Sequence, residues 1–308
     1  MKINQISPQL SDFTEVLATI ALVPKMLYFY GKMPENVFFD VKNVKTGVVE
    51  KRLQRPRCVA IVGARKNTTY GEEVAYRAAY EAAKAGAVVV SGLAYGIDSV
   101  AHRGALDAGG LTVAVLGTPI DHIYPRRHVG LAREIVERGG CVLSEYGPGA
   151  EPLGNEAKTR FLARNRLISG LSDVVLVAEA AEKSGSLNTA MHALEQGRDL
   201  MTVPGDITRP MSAGCNKLIR QGAMPYTEPA DLLDVLFPAA PRPQQKKLPL
   251  GDNPVEVAII RLLDSGVNDG EEIVASSGVS VAEFNQAMTM LEIRGIVRSL
   301  GMNRWHLR

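Results

Sequence analysis

The chain has 308 residues, with 35 lysines and arginines against 33 aspartates and glutamates, so its formal net charge at neutral pH is +2. This balance excludes a protein that holds nucleic acid through a uniformly basic surface, and any polyanion site has to be local. Hydrophobic residues make up 46% of the sequence and charged residues 22%, which excludes a disordered or fibrous chain and is typical of a globular protein of about two domains.

Three cysteines occur singly, at Cys58, Cys141 and Cys215, with no Cys-x-x-Cys pair and no histidine at metal-ligand spacing. The pattern predicts neither a disulfide framework nor a zinc site, and it favours a reducing compartment. The apolar stretch at 17–24 is too short to cross a bilayer and follows acidic rather than basic residues, so it is not a typical signal peptide. We expect a cytoplasmic protein with no membrane partner.

Residues 1–56 show only a weak helical pattern and predict a lead-in segment rather than a domain of its own. From residue 57 onward, short apolar runs alternate with alanine-rich stretches, as in a parallel sheet covered by helices on both faces. Each run is continuous, which is typical of strands buried on both faces. The predicted strands are Cys58–Val62, Ala87–Val90, Leu111–Leu116, Gly140–Leu143, Asp173–Val177 and Asp199–Val203.

Helices are predicted between these strands, at Glu72–Ala85, Asp98–Ala108, Val129–Arg138, Arg164–Leu171 and Ser186–Gln196. The alternation predicts one doubly wound α/β domain over residues 57–237. The stretch at 238–253 is rich in proline and polar residues and predicts a linker. Three short helical patterns and a possible two-stranded wing follow in 254–308, which is the order of a winged-helix domain.

In an open parallel sheet, ligands bind beyond the carboxyl ends of the strands, so the residues that follow each strand are the candidates for a site. The first strand ends in Gly63, Ala64 and Arg65, which lacks the later glycines of a dinucleotide fingerprint, and no nicotinamide cofactor is expected. An arginine behind a tight glycine turn at this edge is suited to pair with a phosphate. The alternative is an arginine whose stem only covers the edge of the sheet.

Two further strand ends combine serine and glycine at the start of a helix, at Ser91-Gly92 and at Ser184-Gly185-Ser186. Backbone N–H groups at such turns form cradles for anions, so both are candidate phosphate contacts. The alternative for the first turn is that Asp98 caps the next helix and the glycines only reverse the chain.

A cationic segment with one aromatic residue runs from Lys158 to Arg166. If the helix starts at Arg164, Phe161 stands just before it, where its ring is suited to stack on a base while Lys158 meets a phosphate. Arg164, Asn165 and Arg166 complete this candidate site. The alternative is that Phe161 anchors the core and the cations form a solvated face.

The sequence shows no catalytic constellation. The five histidines are scattered, and His102 lies four residues after Asp98 on one helix face, which favours a packing or capping role over general-base work. The acidic residues near the strand ends have no spacing that indicates hydrolysis. We therefore expect no catalytic residues, no metal and no cofactor.

Taken together, the motifs resemble the DprA/Smf family of DNA-processing proteins. The segments that carry the resemblance are Val59–Arg65, Ser91–His102, Val113–Asp121 with Tyr124-Pro125, Ser144-Glu145, Phe161–Arg166, Ser184–Ala190, Val203–Gly205 and Gly214–Ile219. Their order and spacing agree with the family over residues 57–236, and the tail from Pro254 resembles the winged-helix domain that many members carry.

This resemblance implies an extended Rossmann-like domain that binds single-stranded DNA without reading its sequence. It also implies a homodimer that protects incoming strands in natural transformation and helps to load RecA recombinase. The glycine–arginine turn of the family matches Gly63, Ala64 and Arg65, and its Lys-x-x-Phe pocket matches Lys158 and Phe161.

The chain departs from the family pattern at three places. Residues 1–56 leave room only for a remnant of the N-terminal SAM-like or helix-hairpin-helix module that members often carry. Tyr95 stands where a basic residue is usual, and Arg126-Arg127 stands where Glu-Asn is common, which adds positive charge at the rim. Arg126 and Arg127 are therefore included among the expected DNA contacts.

Two other functions remain open at this point. One is a nucleotide phosphoribohydrolase of the LOG type, from the same superfamily, whose Pro-Gly-Gly-x-Gly-Thr segment is replaced here by the segment that starts at Ser184. The other is a nucleotide-sensing core with a winged-helix effector. The third helix of the tail shows no evident basic face, which favours a protein contact or a spacer role for that domain.

Overall fold

The computed structural model describes residues 2–42, 49–152, 156–238, 253–301 and 303–307. The chain divides into two compact units, Met1–Ala240 and Pro241–Arg308. Most of the predicted linker at 238–253 lies outside the described residues. Within the described ranges, no helix is both long and apolar enough to cross a membrane.

The larger unit is built on one central sheet. Its strands, with a separate hairpin made by the third and fourth, are β1 (Asn4–Ile6), β2 (Leu27–Gly31), β3 (Val37–Lys42), β4 (Val49–Gln54), β5 (Cys58–Gly63), β6 (Val88–Ser91), β7 (Thr112–Leu116), β8 (Cys141–Ser144), β9 (Val174–Glu179), β10 (Asp199–Thr202) and β11 (Met224–Pro225). Among the described residues the sheet has nine strands in the order β1-β2-β8-β7-β6-β5-β9-β10-β11. The strands from β8 to β11 run parallel, as neighbouring pairs show.

Helices cover both faces of this sheet. They are α1 (Thr69–Lys84), α2 (Ile97–Asp107), α3 (Val129–Glu137), α4 (Glu156–Gly170), α5 (Ser186–Glu195), α6 (Ala213–Arg220) and α7 (Pro229–Leu236). Helices α1, α2 and α7 bury their apolar residues against one face, and α4, α5 and α6 bury theirs against the other. The expected doubly wound α/β fold is therefore confirmed, and each predicted strand lies within about two residues of an observed one.

Two expectations about boundaries are wrong. The sheet begins before residue 57, because β2 pairs antiparallel with β8 and β1 pairs with β2, while Phe13 and Leu17 from the same stretch are buried in the core. The weak helical pattern there corresponds only to short 3-10 turns. Helix α4 begins at Glu156, eight residues before the expected start, so Phe161 lies inside the helix and not ahead of it.

The smaller unit contains α8 (Pro254–Asp264), α9 (Gly270–Ser277), α10 (Val281–Ile293), β12 (Val297–Gly301) and β13 (Arg304–Leu307). Side chains from all three helices and from β12 form its core, including Ile259, Ile273, Leu291 and Val297. The two strands pair antiparallel. This is the order of helices and wing expected for a winged-helix domain.

Candidate nucleic-acid interface

The strand order creates a crevice at one edge of the sheet. After β8 the chain crosses back to place β9 beside β5, so the loops that follow these two neighbouring strands lead away in opposite directions. A cavity of about 380 Å³ lies there, lined by the loop after β5, by one side of α4 and by the loop after β9.

The loop after β5 is fixed tightly before it reaches Arg65. Gly63 has no room for a side chain, because a Cβ there would lie 2.6 Å from Ile97 and 2.8 Å from the Glu179 carbonyl oxygen. The Ala64 amide donates to that same oxygen at 2.8 Å. Gly63 and Ala64 line the cavity, and the exposed Arg65 side chain reaches it from a rigid turn.

Glu179 holds the next part of this loop. Its buried carboxylate accepts hydrogen bonds from the Thr68 amide at 2.8 Å and from the Thr68 hydroxyl at 2.7 Å. Thr68 also caps α1 by accepting from the Gly71 amide. The carboxylate at the end of β9 therefore has a structural role in fixing the β5 loop.

Helix α4 presents a stripe of residues to the cavity: Phe161, Leu162, Arg164, Asn165 and Ile168. Because Phe161 and Arg164 are three residues apart on the helix, they lie on the same face.

The half-buried ring of Phe161 has the Arg65 guanidinium carbon 5.7 Å from its centroid and the Tyr124 ring 5.6 Å away. Gly117 packs against this ring so closely that a Cβ there would lie 2.7 Å from it. Phe161 is thus an aromatic surface held in place next to a cation.

Arg164 forms the floor of the cavity rather than its rim. The side chain is 4% exposed, and its Nη1 donates to the Gly92 carbonyl at 2.8 Å and to the Val115 carbonyl. Burial lowers the pKa of Arg164 to about 10, with the Asp98 carboxylate opposing that shift, so the group is still charged at neutral pH. Asn165 joins α4 to α5 through the Asn188 side chain at 3.2 Å.

The loop after β9 supplies the other wall. Lys183 is exposed, and Ser184, Gly185 and Ser186 lie with it along the cavity at the start of α5. The Ser184 and Ser186 hydroxyls are 2.8 Å apart. Of the two predicted serine–glycine turns, this one borders the cavity.

The other predicted anion cradle, at Ser91 and Gly92, is filled by the chain itself. The buried Ser91 hydroxyl donates to the Ile61 carbonyl at 2.7 Å, and the Gly92 and Ala94 amides donate to Asp98 at 3.1 and 3.4 Å. Burial raises the pKa of the Asp98 carboxyl, against the opposing charge of Arg164. Ser91 and Gly92 therefore do not offer a free anion site, and Asp98 holds this loop and does not cap α2.

Arg166 also has a different place from the one expected. Its guanidinium pairs with both carboxylate oxygens of Glu145, at 2.6 and 2.8 Å, and donates to the Leu22 carbonyl at 2.9 Å. The side chain is buried and fixes the N-terminal stretch to the sheet, so it is not a free contact for DNA. His102, likewise buried, contacts the Thr112 hydroxyl at 2.7 Å, and burial lowers its pKa to about 3.

The remaining predicted cations are exposed but lie outside the cavity lining. Lys158 is on the first turn of α4, three residues before Phe161. Arg126 and Arg127 form a 3-10 turn directly after Tyr124-Pro125. Arg127 borders a neighbouring groove between α1 and α2.

Two lysines of the cavity were not anticipated from the sequence. Lys66 and Lys183 are exposed and line it, each next to a residue that the motifs had indicated. The signal that would have found them is adjacency, because loops at neighbouring strand ends bring consecutive residues to the same edge. Three cations at the rim, one beneath it and one aromatic ring are groups suited to phosphates and a base.

A family model described as DNA recombination-mediator protein A matches residues 45–237. The chain belongs to this family. Protein Smf of Escherichia coli K12 is 47% identical over 178 residues, which are 58% of this chain and 46% of that protein. The putative DNA processing protein DprA of Mycobacterium tuberculosis is 38% identical over 258 residues, or 82% of this chain and 64% of that protein. The chain thus spans about half to two thirds of these relatives.

Two solved structures of the family have the same fold. DprA from Streptococcus pneumoniae superposes with a TM-score of 0.62 at 38% identity, covering 76% of this chain and 74% of that one. DprA from Helicobacter pylori superposes with a TM-score of 0.61 at 31% identity, covering 77% and 96%, and its structure describes a single-stranded DNA binding mode for that protein.

Proposed function

We propose that this chain binds single-stranded DNA in the crevice between the β5 and β9 loops. The observation that carries the proposal is one cavity lined by Arg65, Lys183 and Phe161, from three separate elements. A net charge of +2 over the whole chain is compatible with this function, because these cations converge on one edge. Membership of the family and the DNA binding named for the H. pylori relative support the same conclusion.

In this proposal, phosphates lie against Arg65, Lys66 and Lys183, with the buried charge of Arg164 below them, and a base stacks on Phe161. Lys158, Arg126 and Arg127 contact the strand outside the cavity. Stacking and phosphate contacts both tolerate any base, so binding does not depend on sequence.

The test is fluorescence anisotropy with a labelled twelve-residue oligothymidylate. We expect wild-type affinity to fall as salt rises, with a log–log slope of about −0.7 for each phosphate neutralised. Phe161→Leu is expected to weaken binding about tenfold, because stacking on an aromatic ring contributes about 1–3 kcal/mol per base. The slope should stay the same in this variant, since no cation is removed.

Phe38→Leu is the matched control, because Phe38 is 70% exposed on the β3–β4 hairpin and does not line the cavity. Equal losses in the two variants would contradict a specific role for Phe161. Absence of binding by the wild-type chain at about 50 mM salt would contradict the proposed function itself.

We further propose that the bound strand is protected and passed to RecA in the cytoplasm, during natural transformation and recombination. The description of the matching family as a recombination mediator supports this role. A RecA strand-exchange reaction inhibited by a single-strand binding protein tests it. We expect this chain to restore exchange, and no stimulation would leave a DNA-binding protein that does not mediate recombination.

We also propose that the chain acts as a homodimer, joined through the outer face of α5. Met191 and Leu194 are three residues apart on this face, and each is 59% exposed. Exposed pairs of large apolar side chains are typical of contact surfaces. Continuity of this patch with a second copy would extend the DNA-binding edge across two chains.

Light scattering after size exclusion tests the dimer with Met191→Glu/Leu194→Glu. We expect the wild type at twice the chain mass and the double variant as a monomer, because two carboxylates cannot be buried without partners. Leu10→Glu is the control, since Leu10 is 77% exposed on another part of the unit. A monomeric wild type, or a dimeric double variant, would contradict this interface.

We propose that the chain is not an enzyme, and that the LOG-type reading is the less favoured one. The two buried carboxylates next to the crevice both have structural partners, Glu179 in Thr68 and Asp98 in the Gly92 and Ala94 amides. Release of adenine from AMP by the purified chain, above a control without protein, would overturn this conclusion.

A further inference from the structure

Two exposed tyrosines lie next to the cavity. Tyr95, in the loop between β6 and α2, is 42% exposed, and Tyr124, just before the 3-10 turn, is 45% exposed. They flank a narrow cleft that shares Arg65, Phe161 and Arg164 with the cavity lining. The cavity and the tyrosines are thus one continuous surface.

The rings are arranged in sequence along this surface. Tyr124 lies 5.6 Å from Phe161 between ring centroids, with the two planes at 50°. Tyr95 packs edge-on against His128 at 5.1 Å, and the His128 Nδ1 is 2.8 Å from the Leu93 carbonyl oxygen. Each tyrosine therefore keeps a large exposed area while one side of its ring is supported.

The loops that carry these rings are held rigidly. Gly96, beside Tyr95, has φ +77°, and a Cβ there would lie 2.2 Å from the Ala64 carbonyl oxygen. The Thr118 hydroxyl donates to the His122 carbonyl at 2.7 Å and so closes the loop before Tyr124. Rings fixed before binding lose little conformational entropy when a base stacks on them.

Charge marks both ends of the row of rings. Arg65 lies at the Phe161 end, and the exposed Arg126 and Arg127 follow Tyr124 at the other end. Beyond Arg127, the groove between α1 and α2 is lined by Glu72 and Glu73 as well as by arginines. Carboxylates repel a phosphate backbone, so a favourable path for a strand ends near Arg127.

We propose that Tyr124 and Tyr95 form a second stacking platform, which carries a bound strand from the cavity past Phe161 to Arg126 and Arg127. This inference rests on the proposed function and specifies where the strand leaves the cavity. The cavity holds the nucleotides at one end, and the tyrosines hold those that follow. Affinity should therefore increase with strand length until the platform is occupied.

The test compares a twelve-residue oligothymidylate with a four-residue one, which competes for the cavity alone. For Tyr95→Leu/Tyr124→Leu we expect the Kd for the longer strand to rise at least tenfold, while the Kd for the shorter strand changes less than twofold. Tyr95→Phe/Tyr124→Phe keeps both ring faces and is expected to recover the affinity for the longer strand. Tyr80→Leu, on the side of α1 that packs by Lys84, is the control for loss of a tyrosine.

Photocrosslinking gives an independent readout. A strand with 5-iodouracil at successive positions should crosslink to Tyr124 and Tyr95 in order, as identified by mass spectrometry. If the leucine double variant binds the longer strand as the wild type does, the platform is excluded while the cavity function stands. If the wild type binds neither strand, the proposed function fails as well.

Discussion

Replacing Arg164 by methionine is expected to lower the free energy of unfolding of the larger unit by about 3–5 kcal/mol. The change leaves the buried Asp98 carboxylate without the neighbouring positive charge, and it removes the donor for the carbonyl groups of Gly92 and Val115. These carbonyls follow or end two adjacent parallel strands, β6 and β7, which are buried from water. Methionine fills much of the volume, so the loss measures the polar contacts rather than a cavity.

Chemical denaturation followed by tyrosine signals measures this loss. All nine tyrosines precede Ala240 and the single tryptophan is Trp305, so tyrosine reports on the larger unit and tryptophan on the smaller one. Lys158→Met on the same helix is the control, since Lys158 is exposed and its loss is expected to change stability by less than about 0.5 kcal/mol. Equal stability of the Arg164 and Lys158 variants would show that the buried guanidinium contributes nothing to the fold.

The parallel sheet could be predicted because its strands are continuous apolar runs, such as Cys58–Val62, that read the same in any surrounding structure. The N-terminal strands could not, since β1 and β2 are short, half-buried and paired with a strand more than a hundred residues away. Their pairing depends on β8 being the edge of the parallel part. The aromatic run of β2, Leu27–Gly31, is a strand signal that local propensity would have supported.

The cations of α4 show where sequence stops being informative. Arg164 and Arg166 are two residues apart, which on a helix is a rotation of about 200°, so they cannot face the same cavity. Once α4 is known to begin at Glu156, Phe161, Arg164 and Asn165 form a single stripe, and Arg166 turns toward Glu145. A correct helix start would have been enough to separate them.

The serine–glycine turns illustrate a different limit. Both Gly92 and Gly185 follow the pattern of an anion cradle, and the amide of Gly92 does bind a carboxylate, but it is that of Asp98. Sequence predicts that backbone donors converge at such a turn, whereas the identity of the anion depends on where a neighbouring acidic side chain points. The second turn lies at the cavity and is left for a ligand.

Reversing two charges at the crevice, Arg65→Glu with Lys183→Glu, is expected to weaken single-stranded DNA binding at least a hundredfold at about 100 mM salt. The two cations come from the β5 loop and the β9 loop, so the change removes a phosphate contact on each wall and adds repulsion. Both side chains are exposed, so the fold should be retained, with unchanged far-ultraviolet circular dichroism.

The control keeps the same total charge. Each Lys or Arg to Glu change lowers the net charge by two, so Arg65→Glu/Lys183→Glu and the control Lys84→Glu/Arg133→Glu both carry −2 instead of +2. Lys84 and Arg133 are exposed and do not line the cavity. A purely long-range effect would weaken the two variants equally, whereas a contact site requires a large loss in the first and a small one in the second. Because long-range attraction is screened within about 10 Å at 0.1 M salt, the difference between the two variants should persist as salt rises.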